Sequence, residues 1–286
     1  MDFLNTWQFN LVAFLIAIVF FFQFNRLAVK NAKDNAAATL FLQGIATATS
    51  ALLIPFFPIT FPLQLWLYGF MIAACIFYAF NDRLQTPIRK HLPVSTFSII
   101  YQLMFVFTFV YGLIIFREPL VLDKVLGILL IIAGNIILLY KKGSLQVNRY
   151  VIFAVLSALA LSTAITIDIG TSKHFNLPLY IFLTLLLPGL MIMLNEKVSY
   201  RRVVTEAKQS SIKTYCIAGV AWALAIFFSL RALQTGEVTT VVPLQSLSVL
   251  LNIIVAYLFL KERNHFIKKA LAACVVVVGI IVLTAG

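Results

Sequence analysis

Residues 35–81 read NAAATLFLQGIATATSALLIPFFPITFPLQLWLYGFMIAACIFYAFN, forty-seven positions without an Asp, Glu, Lys or Arg. A helix covers about 30 Å of hydrocarbon with about 20 apolar residues, so this stretch is too long for one crossing and long enough for two. Pro55, Pro58 and Pro62 fall near its middle, and a proline lacks the amide that a helix interior uses. They mark a tight turn between two spans.

The flanking chain has the same texture. Charge-free runs also cover Phe3–Asn25, Val94–Phe116 and Val238–Leu260. Of the 286 residues, 62% are hydrophobic and 11% charged, against about 25% charged in soluble domains. The reading is an all-α integral membrane protein of ten transmembrane helices. The spans are predicted near 7–25, 36–57, 62–81, 94–116, 122–140, 150–170, 178–195, 214–232, 238–260 and 268–285. A transmembrane β-barrel would instead show alternating segments of about 10 residues.

The net charge of +12 is scattered over short loops, which argues for membrane lipids as neighbours and against nucleic acid. Eighteen of the 22 Lys and Arg residues follow odd-numbered spans. That bias places those connections in the cytoplasm and both termini outside. Met1–Trp7 carries no basic residue and no signal-peptide pattern, so the first span is expected to stay attached. Cys75, Cys216 and Cys274 lie in predicted spans, where they act as small apolar residues. His91, His174 and His265 stand alone in loops. Nothing here calls for a metal or cofactor.

The chain repeats itself. Val94, Thr96, Leu103 and Glu118 recur as Val238, Thr240, Leu247 and Glu262 at an offset of 144 residues. Asn25 and Lys30 meet Asp168 and Lys173 at an offset of 143, and Gly134 meets Gly279 at 145. Five spans per half is an odd number, so the second half enters the membrane from the opposite side. This is an inverted repeat, the design of many secondary transporters, whose solute sites lie near the midplane.

A helix ending in Asn followed five residues on by Lys, a polar helix running into Glu, and a short Gly-containing helix, each present twice, resembles the EamA-type branch of the drug/metabolite transporter superfamily. The resemblance covers nearly the whole chain. It implies two five-helix EamA-like repeats, 1–143 and 144–286, in a bacterial-type plasma membrane, and secondary transport or efflux of a small metabolite.

Carboxylates in hydrocarbon are functional candidates by default. Asp168 is read as a proton-coupling or amine-binding group, although its depth, about 27 Å along its helix, also suits a polar helix end. Lys30 and Lys173 read as interface anchors that snorkel. Glu118 and Glu262 read as caps at the starts of their own fifth and tenth spans. The fourth and ninth spans are rich in hydroxyls and amides, which need partners inside a membrane, and Pro243 is placed to kink the ninth. The candidate solute-binding residues are Asn25, Gln43, Tyr78, Tyr101, Gln102, Asp168, Trp222, Gln245 and Ser246, with Arg231 nearby. Gly127 and Gly134 share a face suited to close packing. The loop from Glu196 to Lys213 is read as a solvated positive loop, with an amphipathic surface helix as its alternative.

The leading function is a secondary active transporter that moves an apolar or zwitterionic metabolite, amino-acid-like or another small organic solute, by alternating access between the repeats. A proton or ion gradient would drive it, since no Walker A sequence occurs. Movement of a lipid-linked headgroup and a non-transporting scaffold are the alternatives. Catalysis is set aside because the spans show no carboxylate pair, His/Glu cluster or G-x-S-x-G sequence.

Overall fold

A computed structural model describes residues 6–57, 61–114, 122–141, 144–145, 147–209, 211–236, 241, 244–262 and 264–285. Glu118, Thr240 and Pro243 lie outside the described residues, as does the start of the predicted ninth span.

The helices are α1 (Trp7–Val29), α2 (Asn35–Leu53, extended by a 3-10 turn over Ile54–Phe56), α3 (Leu65–His91), α4 (Val94–Ile100), α5 (Leu103–Ile114) and α6 (Leu122–Leu139). They continue with α7 (Arg149–Thr171), α8 (Leu177–Asn195), α9 (Tyr200–Gln209), α10 (Ile212–Thr235), α11 (Ser248–Phe259) and α12 (Phe266–Ala285). A two-residue antiparallel ladder pairs β1 (Tyr140–Lys141) with β2 (Ser144–Leu145) between α6 and α7. Among the described residues eight helices are long and apolar enough to cross a membrane: α1, α2, α3, α6, α7, α8, α10 and α12. Two shorter apolar stretches, Val94–Thr108 and Leu244–Phe259, lie between them.

Side-chain caps set several boundaries. Asp34 accepts the Ala36 and Ala37 amides at the start of α2, Asn148 those of Tyr150 and Val151 at α7, and Asn176 that of Leu179 at α8. Each satisfies amides that the first helical turn leaves open.

Three expectations need correction. The third span was expected to end at Asn81, but α3 continues through Pro87 to His91 because Asp82, Gln85 and Arg89 turn inward and find partners. The fourth span is two helices, α4 and α5, separated by a tight turn at Tyr101 and Gln102. The loop after α8 contains helix α9, so the helix read as its alternative replaces the solvated loop. Its Glu206 is buried and accepts the Lys33 and Asp34 amides, while Arg202 pairs with Asp34.

Apolar side chains fill the core and also cover the surface, unlike in a soluble domain. Leu52, Phe56, Leu258, Phe259 and Ile267 are exposed, whereas Asn10, Gln23, Gln43, Asp82, Arg89 and Asp168 are buried. Lipid solvates the first set at no cost, and the second must be satisfied internally. The principal helix pairs are α1 with α10, α3 with α7, α6 with α12, and α2 with α8. In the α6–α12 pair a Cβ added at Gly127 would lie 2.5 Å from the Leu283 amide nitrogen, and one at Gly279 2.7 Å from the Gly127 carbonyl. These glycines let the two backbones touch.

Candidate functional site

Helix α3 carries Tyr78, Asn81, Asp82, Gln85 and Arg89 at spacings of three and four, so they form one stripe down its inner side. Helix α7 runs antiparallel against it, pairing Tyr78 with Asp168 near one end and Gln85 with Ser157 near the other. Together with α1, α8 and α10 these helices enclose a cavity of about 220 Å³. Phe14, Ile18, Phe21 and Phe22 line it from the first half, and Asp168, Tyr180, Thr184, Trp222 and Ser229 from the second.

Most of the polar wall is one connected network. Arg89 Nε donates to Gln85 Oε1 at 2.9 Å, and Gln85 Nε2 donates to Ser157 Oγ at 3.0 Å and to the Tyr101 hydroxyl at 3.2 Å. Tyr101 and Ser157 each donate to Asn81 Oδ1, at 2.8 and 2.7 Å. Asn81 Nδ2 then donates to Asp82 Oδ1 at 2.9 Å, and Gln43 Nε2 donates to Asp82 Oδ2 at 3.2 Å and to the Leu185 carbonyl at 2.8 Å. At the other end of the cavity, the Tyr78 and Tyr180 hydroxyls donate to the two oxygens of Asp168 at 2.6 and 2.5 Å.

Three charges therefore sit around one small space: Asp82 at 4%, Asp168 at 6% and Arg89 at 2% exposure. Neither carboxylate makes an ion pair among the described residues. Burying charge at such cost is rarely structural, since isolated buried ions lose several kcal/mol of solvation.

The structure brings the candidates Tyr78, Tyr101, Asp168 and Trp222 into this cavity. Gln43 stands one layer behind, holding Asp82. Gln245 donates to Ser229, which lines the cavity, without lining it itself. Asn25, Gln102 and Ser246 are not part of the wall. Asn25 and Ser246 are buried elsewhere, and Gln102 donates back to the Ser98 carbonyl of its own segment. Lys30 is exposed, and the Lys173 side chain lies outside the described residues.

Sequence reasoning missed Asp82, Gln85 and Arg89 because charges were counted as loop residues. The stripe 78, 81/82, 85, 89 was the signal that could have found them. The expectation that the spans hold no pair of carboxylates is likewise corrected, because α3 and α7 carry Asp82 and Asp168 to the same cavity.

Glu262 also departs from its expected role. It accepts the Val94 and Ser95 amides and the Ser95 hydroxyl at 3.0, 3.3 and 2.6 Å, so it caps α4, a helix of the other half. Lys269, 7% exposed, donates to Ser95 Oγ at 2.7 Å and stands 3.9 Å from the Glu262 carboxylate.

Residues 148–285 match the model of the EamA-like transporter family. The match covers just under half of the chain. The matched stretch supplies α7 to α12, and with them Asp168, Tyr180, Trp222 and Ser229 of the cavity wall. The matched family is one of transporters, and the eight helices long and apolar enough to cross a membrane make the chain an integral membrane protein. No curated protein matches the sequence closely enough to be counted a relative. A solved crystal structure of a protein matches 96% of this chain and 98% of its own, with a TM-score of 0.55 and 15% identity. At that identity the likeness is one of fold, and it extends beyond the EamA-like stretch to the first half.

Proposed function

We propose that the chain is a secondary transporter that carries a small solute through the α1/α3/α7/α8/α10 cavity by alternating access. The observation that carries this reading is the cavity itself: residues of both halves line it, and it holds buried charges of both signs. Its volume is below the ~300–1,000 Å³ of sites for drug-sized ligands, which suits a metabolite.

The helix pairing supports a ten-helix inverted repeat with halves 1–143 and 144–286. Exchanging the halves maps α1–α10 onto α3–α7, α2–α10 onto α3–α8, and the pairs α2–α8 and α6–α12 onto themselves. Such exchange symmetry is what lets two related halves rock about one site. Energy comes from a gradient, and Asp82 and Asp168 are the groups on which a coupling proton or cation would ride. Gln43, Tyr78, Tyr101, Trp222 and Gln245 shape or support the site.

The test is a melting-temperature screen of purified protein against amino acids, nucleobases, sugars, phosphates and organic ions, followed by flux of each hit into proteoliposomes. A ligand that binds only the folded state raises the melting temperature in a concentration-dependent way. Saturable flux, lost in Asp82→Asn or Asp168→Asn, is expected. Hits that bind the cavity and never cross would overturn the reading.

A further inference from the structure

Arg89 is the one charge of the cavity whose surroundings are incomplete. Its guanidinium lies 4.6, 4.3 and 4.9 Å from the ring centres of Phe21, Phe22 and Phe97, a box of three aromatic faces. Those faces stabilise the cation without supplying a counter-charge. Among the described residues, Nε is the one of its five donors with a hydrogen-bond partner, Gln85, and Nη1 is buried without one. No carboxylate comes within ion-pair distance among the described residues. Asp82 lies seven residues back on the same helix, about 10 Å away along its axis, and is held by Asn81 and Gln43. Glu262, which caps α4, is taken up by Val94, Ser95 and Lys269. The Arg26 guanidinium donates to the Arg89 carbonyl, so a second positive charge stands close by.

A buried guanidinium that lines a cavity and keeps a donor without a partner is a site built for an anion. The geometry points to Arg89 as the anchor for a carboxylate of the solute, with the solute's apolar body lying along Phe21 and Trp222. Those two rings stack at 5.5 Å and 14° and line the same cavity. Guanidinium takes carboxylate through parallel N–H···O bonds, which a lysine in its place would not reproduce. This inference rests on the transporter reading of the cavity and names the chemistry of what it carries.

Four probes share one aromatic body and differ in charge: 3-phenylpropionate, phenylalanine, 3-phenylpropan-1-ol and phenethylamine. Binding is measured at constant pH by thermal shift and calorimetry on the full chain in nanodiscs. The two carboxylates are expected to stabilise the protein at millimolar concentration, and the alcohol and amine to leave it unchanged. Arg89→Gln should weaken carboxylate binding about tenfold to a hundredfold, the loss expected for hydrogen bonds to a charged group, and Arg89→Lys should fall between. Gln85→Glu keeps the cation and gives it an internal counter-ion, so it should abolish carboxylate binding even if Arg89→Gln does not fold. The assignment is overturned if no carboxylate binds, if the alcohol or amine binds as well as the carboxylates, or if Gln85→Glu leaves their affinity unchanged. Flux of the same probes into proteoliposomes separates the two readings. Carboxylate binding that Gln85→Glu abolishes, without flux, upholds the anion site and ends the transport reading. Flux of the amine, indifferent to Gln85→Glu, upholds transport and ends the role of Arg89.

Discussion

Asp168 shows how much a single position depends on its neighbours. At the matching sequence position, Asn25 is buried with Oδ1 lacking a partner among the described residues, whereas both oxygens of Asp168 receive a tyrosine hydroxyl. Tyr180 is fully buried, so Tyr180→Phe removes a charge-directed hydrogen bond and leaves the carboxylate under-satisfied. A stability loss of about 1.5–3 kcal/mol is expected. Thermal unfolding in detergent measures it, and the double variant Tyr180→Phe/Asp168→Asn should recover part of the loss because the stranded charge is gone. A double variant as unstable as Tyr180→Phe alone would mean that ring packing, not the hydroxyl, holds this corner.

Helix contacts turn on small residues and caps. Gly127 sits where α12 leaves no room for a Cβ, while a Cβ at Gly44 of α2 meets nothing within 4 Å. Gly127→Ala should therefore destabilise by about 1–3 kcal/mol through overpacking, and Gly44→Ala should be neutral or stabilise by up to about 1 kcal/mol through helix propensity. Paired melting curves decide, and equal effects at the two sites would count against close α6–α12 packing. The cap of α2 adds a pH dependence. Burial pushes the Asp34 carboxyl up, but the amides of Ala37 and Ala36 and the Arg202 guanidinium outweigh it and hold the group below the usual carboxylate range. A lowered carboxyl contributes stability above its unfolded value, near pH ~3.9, and loses it as pH falls through the folded value. The acid limb of stability should thus be shallower in Asp34→Asn than in the parent protein, and an unchanged limb would remove Asp34 from that account.

The whole molecule is tied across its halves by Glu262 on α4. If the halves rock during transport, that tie must open. In a variant with Cys75, Cys216 and Cys274 replaced by serine or alanine, the pair Ser95→Cys and Glu262→Cys should be bridged by a short reducible thiol-specific cross-linker. Cross-linking should then stop flux and reduction restore it, while ligand binding persists. Flux that continues through the cross-linked protein would show that α4 and the loop before α12 move together. Glu262→Gln, which keeps the shape and weakens the cap by about 1 kcal/mol, should shift the balance between the two access states and so change flux more than melting temperature.

Charge-free runs determined the membrane and the all-helical class, because hydrocarbon tolerates no unpaired polar backbone and so forces long apolar helices. The repeat of Asn25–Lys30 and Val94–Glu118 in the second half likewise carried the resemblance to EamA-type proteins, and Tyr78, Tyr101, Asp168 and Trp222 were legible as polar or flat-faced groups inside apolar runs. Asp82, Gln85 and Arg89 were not, since hydropathy ends a span at the first charge. Only packing shows that α3 continues for ten residues with those charges turned inward. The partner of Glu262 was equally hidden, because a carboxylate beside a helix start does not say which helix it caps. Composition decides which solvent surrounds the chain; the meeting of distant helices decides where the charges lie, because that is a property of contacts between segments far apart in sequence.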